Sequence, residues 1–198
     1  MRRLLAITDR RSMGPAPIER ARSLIHVLGA ALWLQVREKD LSAREVCRWI
    51  EALLPDARAH GSRLFVSDRA DLARCFLPEV GVQLPEAGLS VEDARRFLGR
   101  GPEIGASIHD PERVAAIAGA GGSLVVLAPI FSVPGKGPPL GIDAVRRAVE
   151  LAAGRLAVFA LGGVDPTTAP AIWATGADGV AATRAVWAAP DPSALLRG

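Results

Sequence analysis

The chain has 198 residues, a formal net charge of +3 and a sequence pI near 9.5. It is 49% hydrophobic and 23% charged, too apolar for a disordered chain and ordinary for one compact domain over residues 1–198. No apolar run approaches the ~18 residues of a spanning helix, the N-terminal run Leu4–Ile7 is too short for a secretory signal, and two cysteines make no disulfide framework; the expectation is a cytoplasmic protein.

Apolar runs of four to six residues alternate with amphipathic stretches along the chain. Strands are predicted at Leu4–Thr8, Leu32–Val36, Arg63–Ser67, Gly81–Leu84, Glu103–Ser107, Ser123–Leu127, Leu156–Leu161 and Gly179–Thr183. Helical patterns fall at Ile18–Leu28, Ala43–Ala59, Ala70–Leu77, Val91–Leu98, Pro111–Ala118, Ile142–Ala153 and Pro166–Thr175, with a short tail near Pro192–Leu196. Ser42 with Glu45 and Ser90 with Asp93 have capping-box spacing. Asp110-Pro111 and Asp165-Pro166 read as a cap followed by proline at the first helical position. Eight strand-then-helix units predict a parallel sheet with right-handed crossovers, and eight closes a (β/α)₈ TIM barrel. The open doubly wound alternative wants a glycine fingerprint after the first strand, where this chain has Thr8-Asp9-Arg10-Arg11.

In such a barrel, chemistry sits at the C-terminal ends of the strands. Those ends carry Arg37 and Lys39 after strand 2, Asp68 after strand 3, His109 after strand 5, Lys136 after strand 6 and Arg184 after strand 8. Arg37, Lys39, Lys136 and Arg184 would face an anion. Only two of the 24 cations, Lys39 and Lys136, are lysine, which offers a compact, rotatable ammonium where arginine offers a planar fork. Gly162-Gly163 before the helix expected at Pro166 reads as a phosphate-binding turn. The connection Ile130–Gly141, with three prolines and three glycines, reads as a lid carrying Lys136. His109 is an acid–base candidate, with capping of the next helix as the alternative. His26 and His60 read as structural, and Trp33, Trp49, Trp173 and Trp187 as core or interface; whether copies associate stays open. Acids and arginines alternate along the helices, so a nucleic-acid surface is not expected, nor is a membrane partner.

Seven segments, in order, carry a family resemblance: Gln35–Lys39, Val66–Ala73, Gly81–Leu84, Gly105–His109, Pro129–Phe131 with Lys136, Ala160–Val164 and Gly176–Ala181. Over about residues 4–187 the chain resembles the thiamine phosphate synthase superfamily, which contains the synthase and the TenI-like thiazole tautomerase branch. The resemblance implies a compact (β/α)₈ barrel that binds a thiazole phosphate and, in the synthase, a pyrimidine methyl pyrophosphate with magnesium. It implies that Gln35, Arg37 and Lys39 contact the pyrimidine pyrophosphate, that Asp68 is a magnesium carboxylate, that Ser107 and Lys136 lie on the pyrophosphate side, and that Gly163 holds the thiazole phosphate. The chain departs from the synthase pattern where the second magnesium carboxylate falls, at or beside Ala87, where Ser67 replaces asparagine, and at Val133, Gly135 and Arg184. Gly81–Ser90 and Gly137–Gly141 look closer to the TenI-like branch, but the tautomerase histidine is replaced in Ala128-Pro129-Ile130-Phe131, leaving His109 or Lys136 to move the proton. The sequence therefore favours a metal-independent tautomerase-type activity, with no cofactor required. The alternatives are a Mg-dependent synthase and a non-catalytic binder or sensor of a thiamine-related phosphate. A sugar-phosphate isomerase on the same fold is a further reading.

Overall fold

The computed structural model describes residues 1–197. Its chain runs β1 (Arg3–Ile7), α1 (Pro17–Leu28), β2 (Leu32–Val36), α2 (Ala43–His60), β3 (Arg63–Ser67), α3 (Ala70–Cys75), β4 (Val80–Leu84) and α4 (Val91–Leu98), then β5 (Ile104–Ile108), α5 (Val114–Gly119), β6 (Leu124–Leu127), α6 (Gly141–Ala152), β7 (Ala157–Leu161), α7 (Ala169–Trp173), β8 (Gly179–Ala182) and α8 (Arg184–Trp187). The strands are all parallel and close in sequence order, with β1 pairing both β2 and β8. The fold is a (β/α)₈ barrel, as expected.

Alternation along each strand divides the apolar residues between two cores. Outward residues such as Leu4, Leu34, Val66, Val82 and Val158 join the helices in one large cluster. Inward residues form a second, Leu5, Ile7, Trp33, Phe65, Leu124, Val126, Phe159 and Ala181, which fills the barrel. Trp33 lies with its ring centroid 5.5 Å from that of Phe65 and 5.0 Å from that of Phe159. Gly81 and Gly179 make room for these rings: a Cβ on Gly81 would come 2.7 Å from the Phe65 ring, and one on Gly179 would enter the ring of Phe159. Arg63 and Arg3 stack over Trp33 from the N-terminal side, 4.6 and 5.5 Å from its ring centroid, and pair with Glu103 and Asp178. The barrel is therefore packed solid below its C-terminal mouth. Phe159→Ala is expected to cost about 3–5 kcal/mol through the lost burial and the cavity left behind. The check is a denaturant melt, read as a lower midpoint at unchanged slope.

The helix starts follow local chemistry. Ser42 and Glu45 form the full capping box of α2, and Ser90 accepts from the backbone N–H of Asp93 at the start of α4. Three expectations are corrected. The helix expected from Pro166 begins only at Ala169, because Asp165 closes the preceding turn by accepting from the N–H groups of Thr167 and Thr168, at 2.7 and 3.0 Å. Asp110-Pro111 opens a 3₁₀ turn, with the α-helix beginning at Val114. The tail Pro192–Leu196 is also a 3₁₀ turn, and the four-residue α8 was not anticipated. Among the described residues, no helix is long and apolar enough to cross a membrane.

Trp33, Trp49 and Trp187 are buried, as a core role requires, and the Trp187 indole N–H donates to the carbonyl of Ile7 at 2.7 Å. Trp173 is half-buried and donates to the carbonyl of Leu195 at 3.3 Å. His26 bonds Asp56 at 2.9 Å and stacks on His60, far from the mouth.

Candidate active site

The segment after β2 is held by groups from β1. Thr8 is fully buried, and its hydroxyl accepts from the backbone N–H of Arg37 at 2.9 Å. Glu38 is 7% exposed and accepts from the backbone N–H of Arg10 at 3.1 Å. The Arg10 guanidinium then grips Asp40 through two bonds of 2.7 and 2.8 Å, and Arg11 adds a third contact to Asp40 at 3.1 Å. Arg37 and Lys39 are thereby presented on a braced loop. Their own side chains are exposed and make no hydrogen bond or ion pair among the described residues.

The guanidinium of Arg10 holds the Asp40 carboxyl below its ordinary range. A depressed native pKa adds stability that is present above the unfolded value, near 3.9, and lost as pH falls through the native one. Asp40→Asn is therefore expected to lower the melting temperature slightly at neutral pH and to flatten its fall below about pH 4, so that variant and wild type converge in acid. Thermal melts across pH 3–7 check it.

Lys136 and Arg184 behave like Arg37 and Lys39: both are exposed, and neither side chain has a partner among the described residues. Most arginines elsewhere are paired, as in Arg58–Glu79, Arg69–Asp71, Arg147–Glu112 and Arg197–Asp191. Four cations without carboxylate partners thus follow β2, β6 and β8. The loop carrying Lys136 is pinned at its base. Leu140 N–H donates to Pro129 at 2.8 Å and Gly141 N–H to Ile130 at 3.1 Å, while residues 134–139 are exposed.

The turn after β7 is built around two glycines. Gly162 has φ +99° and Gly163 φ +66°, in the region that favours glycine. A Cβ on Gly162 would lie 2.8 Å from Pro129 Cα, and one on Gly163 2.6 Å from Phe131 Cβ. The turn is locked from behind: Phe131 N–H donates to Gly162 O at 3.0 Å, and the Thr168 hydroxyl to Gly163 O at 3.1 Å. The N–H groups of Gly163 and Val164 have no acceptor among the described residues. The helix expected at Pro166 contributes no N-terminus here, since α7 is five residues long and starts six residues beyond Gly163. Bare backbone donors remain.

Inside the mouth lie Gln35 and Gln83, 4% and 3% exposed, and the half-buried Ser67 and Ser107. The Gln83 amide donates to Ser107 Oγ at 3.1 Å.

The carboxylates do not make a magnesium site. Asp68 is exposed and takes a positive φ of 57° at the end of β3. Gly88 lies against it, where a Cβ would be 3.2 Å from Asp68 Oδ1 and 2.7 Å from the Pro85 ring, and glycine brings no ligand. Ala87 is exposed and also brings no ligand. Glu86, the next carboxylate along this loop, is engaged elsewhere: it bonds Nδ1 of His109, accepts from the His109 backbone N–H at 3.3 Å, and pairs with Arg113 at 2.6 Å. Burial pushes the Glu86 carboxyl up, but the bonds from His109 and Arg113 outweigh it and hold it below its usual range. Among the described residues, no three His, Cys, Asp or Glu side chains group to hold a metal ion. Magnesium wants near-octahedral oxygen ligation, and Asp68 alone does not fit it.

His109 itself is bonded to Glu86, and the cap of the following turn, read from the sequence for this pair, comes from Asp110. Nothing in the sequence pairs Glu86 with His109, 23 residues apart. The bracing by Thr8 and Glu38 and the contact of Gln83 with Ser107 are not evident in the sequence either. A polar residue at an inward position of an apolar strand is the signal that could have found Thr8 and Gln83.

Comparison with known proteins agrees with this architecture. A family model described as thiamine monophosphate synthase matches residues 4–186. The chain belongs to that family. A thiamine-phosphate synthase of Roseiflexus castenholzii is 36% identical over 202 residues, covering 96% of this chain and 83% of the relative. One from Mycobacterium bovis is 34% identical, covering 81% and 72%. The solved thiamine phosphate pyrophosphorylase of Pyrococcus furiosus superposes with a TM-score of 0.82 at 29% identity, covering 96% and 89%. A 3-hexulose-6-phosphate synthase, at TM-score 0.65 and 17% identity, shares the fold.

Proposed function

We propose that this family member joins a pyrimidine methyl pyrophosphate to a thiazole phosphate at the C-terminal mouth and releases pyrophosphate. The observation that carries this reading is the set of four unpartnered cations, Arg37, Lys39, Lys136 and Arg184. A phosphate monoester brings nearly two negative charges at pH 7, so four cations exceed what one phosphate asks for and suit two anionic groups. The names of the relatives point the same way.

In this reading the thiazole phosphate rests on the bare N–H groups of Gly163 and Val164, with Arg184 beside them. The pyrophosphate lies against Arg37, Lys39 and Lys136, with Ser107 donating a hydrogen bond. The methylene C–O bond breaks, its electrons leave with the pyrophosphate, and the thiazole nitrogen lone pair forms the new C–N bond. Preorganised cations stabilise charge where it develops on the leaving oxygen. No proton moves in this step. The reaction therefore places no demand on position 129, where proline cannot transfer a proton, or on His109, which is bonded to Glu86. A magnesium ion would supply further charge neutralisation, but the donor set here does not hold one in the two-carboxylate manner.

The second reading is the metal-independent tautomerase. Gly88 opposite Asp68 favours it, because proton transfer asks for no metal. Incubating the protein with both phosphates and Mg²⁺, with and without chelator, separates the two. Thiamine phosphate by mass detection is the expected product, persisting at least in part with chelator. Aromatised thiazole carboxylate phosphate alone would replace this reading with the tautomerase. Ligand-induced stabilisation with no product would leave a binding protein.

A further inference from the structure

We infer that Gln83 is a positioning residue that sets the Ser107 hydroxyl as a hydrogen-bond donor toward the pyrophosphate. This rests on the reading that Ser107 faces that group. Gln83 is inward on β4, in register with Ser67 on β3 and Gly105 on β5, and is 3% exposed. Its Nε2 donates to Ser107 Oγ at 3.1 Å, while its Oε1 is buried with no partner.

A serine hydroxyl has one hydrogen and two lone pairs. Receiving the amide N–H occupies a lone pair and leaves the hydrogen to be donated elsewhere. An anion at the mouth is repelled by oxygen lone pairs and attracted by that hydrogen. The orphaned Oε1 matters because it does not compete for the same hydrogen. Were the amide turned over, Oε1 would take the Ser107 proton and leave bare lone pairs facing the anion. A bound anion therefore favours the observed arrangement, and the amide stabilises the anion through the serine. Leaving a buried carbonyl oxygen unpaired carries a free-energy cost, which a purely structural glutamine has no reason to bear.

Gly105 is the third member of the device. A Cβ there would run into Gln83 Oε1, so the missing side chain is what lets the amide lie across β5 and reach Ser107. The obstructed atom is the far end of a flexible side chain. A Cβ there would also come 2.9 Å from Cγ and Cδ2 of Leu124, so an alanine at 105 would displace the amide and press on the inner core together.

The test is calorimetric titration of inorganic pyrophosphate, and separately of the thiazole phosphate, into wild type, Gln83→Leu, Ser107→Ala and the double variant. Gln83→Leu and Ser107→Ala are each expected to weaken pyrophosphate about five- to tenfold, in line with one lost hydrogen bond to a charged group. The double variant is expected to bind as weakly as Ser107→Ala alone, since Gln83 acts through the serine. Thiazole phosphate affinity should stay at the wild-type value in all four, which loss of structure would not allow. Gln83→Glu, which can only accept from Ser107, should weaken pyrophosphate more than Gln83→Leu. If Gln83→Leu fails to fold, Gln83→Met, which keeps the length of the side chain and loses the amide, gives the same reading. Wild-type pyrophosphate affinity in Gln83→Leu, or losses that simply add in the double variant, would overturn the inference while leaving the proposed function standing. Wild type that binds no pyrophosphate would overturn both.

Discussion

Arg37→Ala is expected to lower kcat/KM for thiamine phosphate formation by about 10²–10³, the usual result of removing one preorganised group aimed at developing charge. It is also expected to leave the melting temperature within about 2 °C of wild type, because an exposed side chain without special contacts is worth no more than about 0.5 kcal/mol to the fold. The two halves of this expectation come from one fact. The backbone of residue 37 is anchored by Thr8, while its guanidinium touches no protein group among the described residues. Most other arginines are tied to carboxylates or carbonyls, so removing one of them exchanges one contact for another. Arg37→Lys should recover only part of the rate, since an ammonium cannot reproduce the two-pronged grip of a guanidinium on phosphate oxygens. Steady-state kinetics beside a thermal melt reads both halves. A large fall in melting temperature at unchanged rate would reverse the assignment.

Gly162→Ala should fail in the opposite manner, losing stability and function together. The residue sits at φ +99°, and its new Cβ would press on the Pro129 backbone at 2.8 Å. Backbone strain of this kind and overpacking each cost about 1–3 kcal/mol. For a chain of this size, about 2–6 kcal/mol in total corresponds to a fall in melting temperature of about 4–24 °C. The turn and the β6 loop are joined by the Phe131–Gly162 hydrogen bond, so the strain spreads to the base of the loop that carries Lys136. Thiazole phosphate binding is expected to weaken at least tenfold in a titration at a temperature where the variant is still folded. A variant with wild-type stability and affinity would show that the close approach of Gly162 to Pro129 has no energetic consequence.

The barrel was legible because eight apolar runs recur at a regular spacing and the caps between them are strong. Ser42 with Glu45 and Ser90 with Asp93 mark helix starts through local chemistry alone, and the structure places them there. The start of α7 was misread for a local reason too. Asp165-Pro166 has the composition of a helix start, but the Asp165 carboxylate spends its bonds closing a turn with Thr167 and Thr168. The cations of the mouth were legible from their places after the strands. What surrounds them was not. Whether Arg37 is free while Arg10 is paired depends on Asp40 reaching back 30 residues, which no spacing rule contains. Gly88 beside Asp68 and Glu86 beside His109 are likewise products of barrel closure. The sequence puts the missing carboxylate at or beside Ala87, and that the neighbouring Gly88 lies against Asp68 is a contact made only by the folded loop.

In the proposed reaction this mouth couples loss of pyrophosphate to bond formation with the thiazole. Following pyrophosphate release from the pyrimidine methyl pyrophosphate in real time, with and without thiazole phosphate, tests it most directly. Release is expected to depend on both substrates, with one thiamine phosphate formed per pyrophosphate. No release with both substrates present, while the thiazole carboxylate phosphate is aromatised, would contradict it.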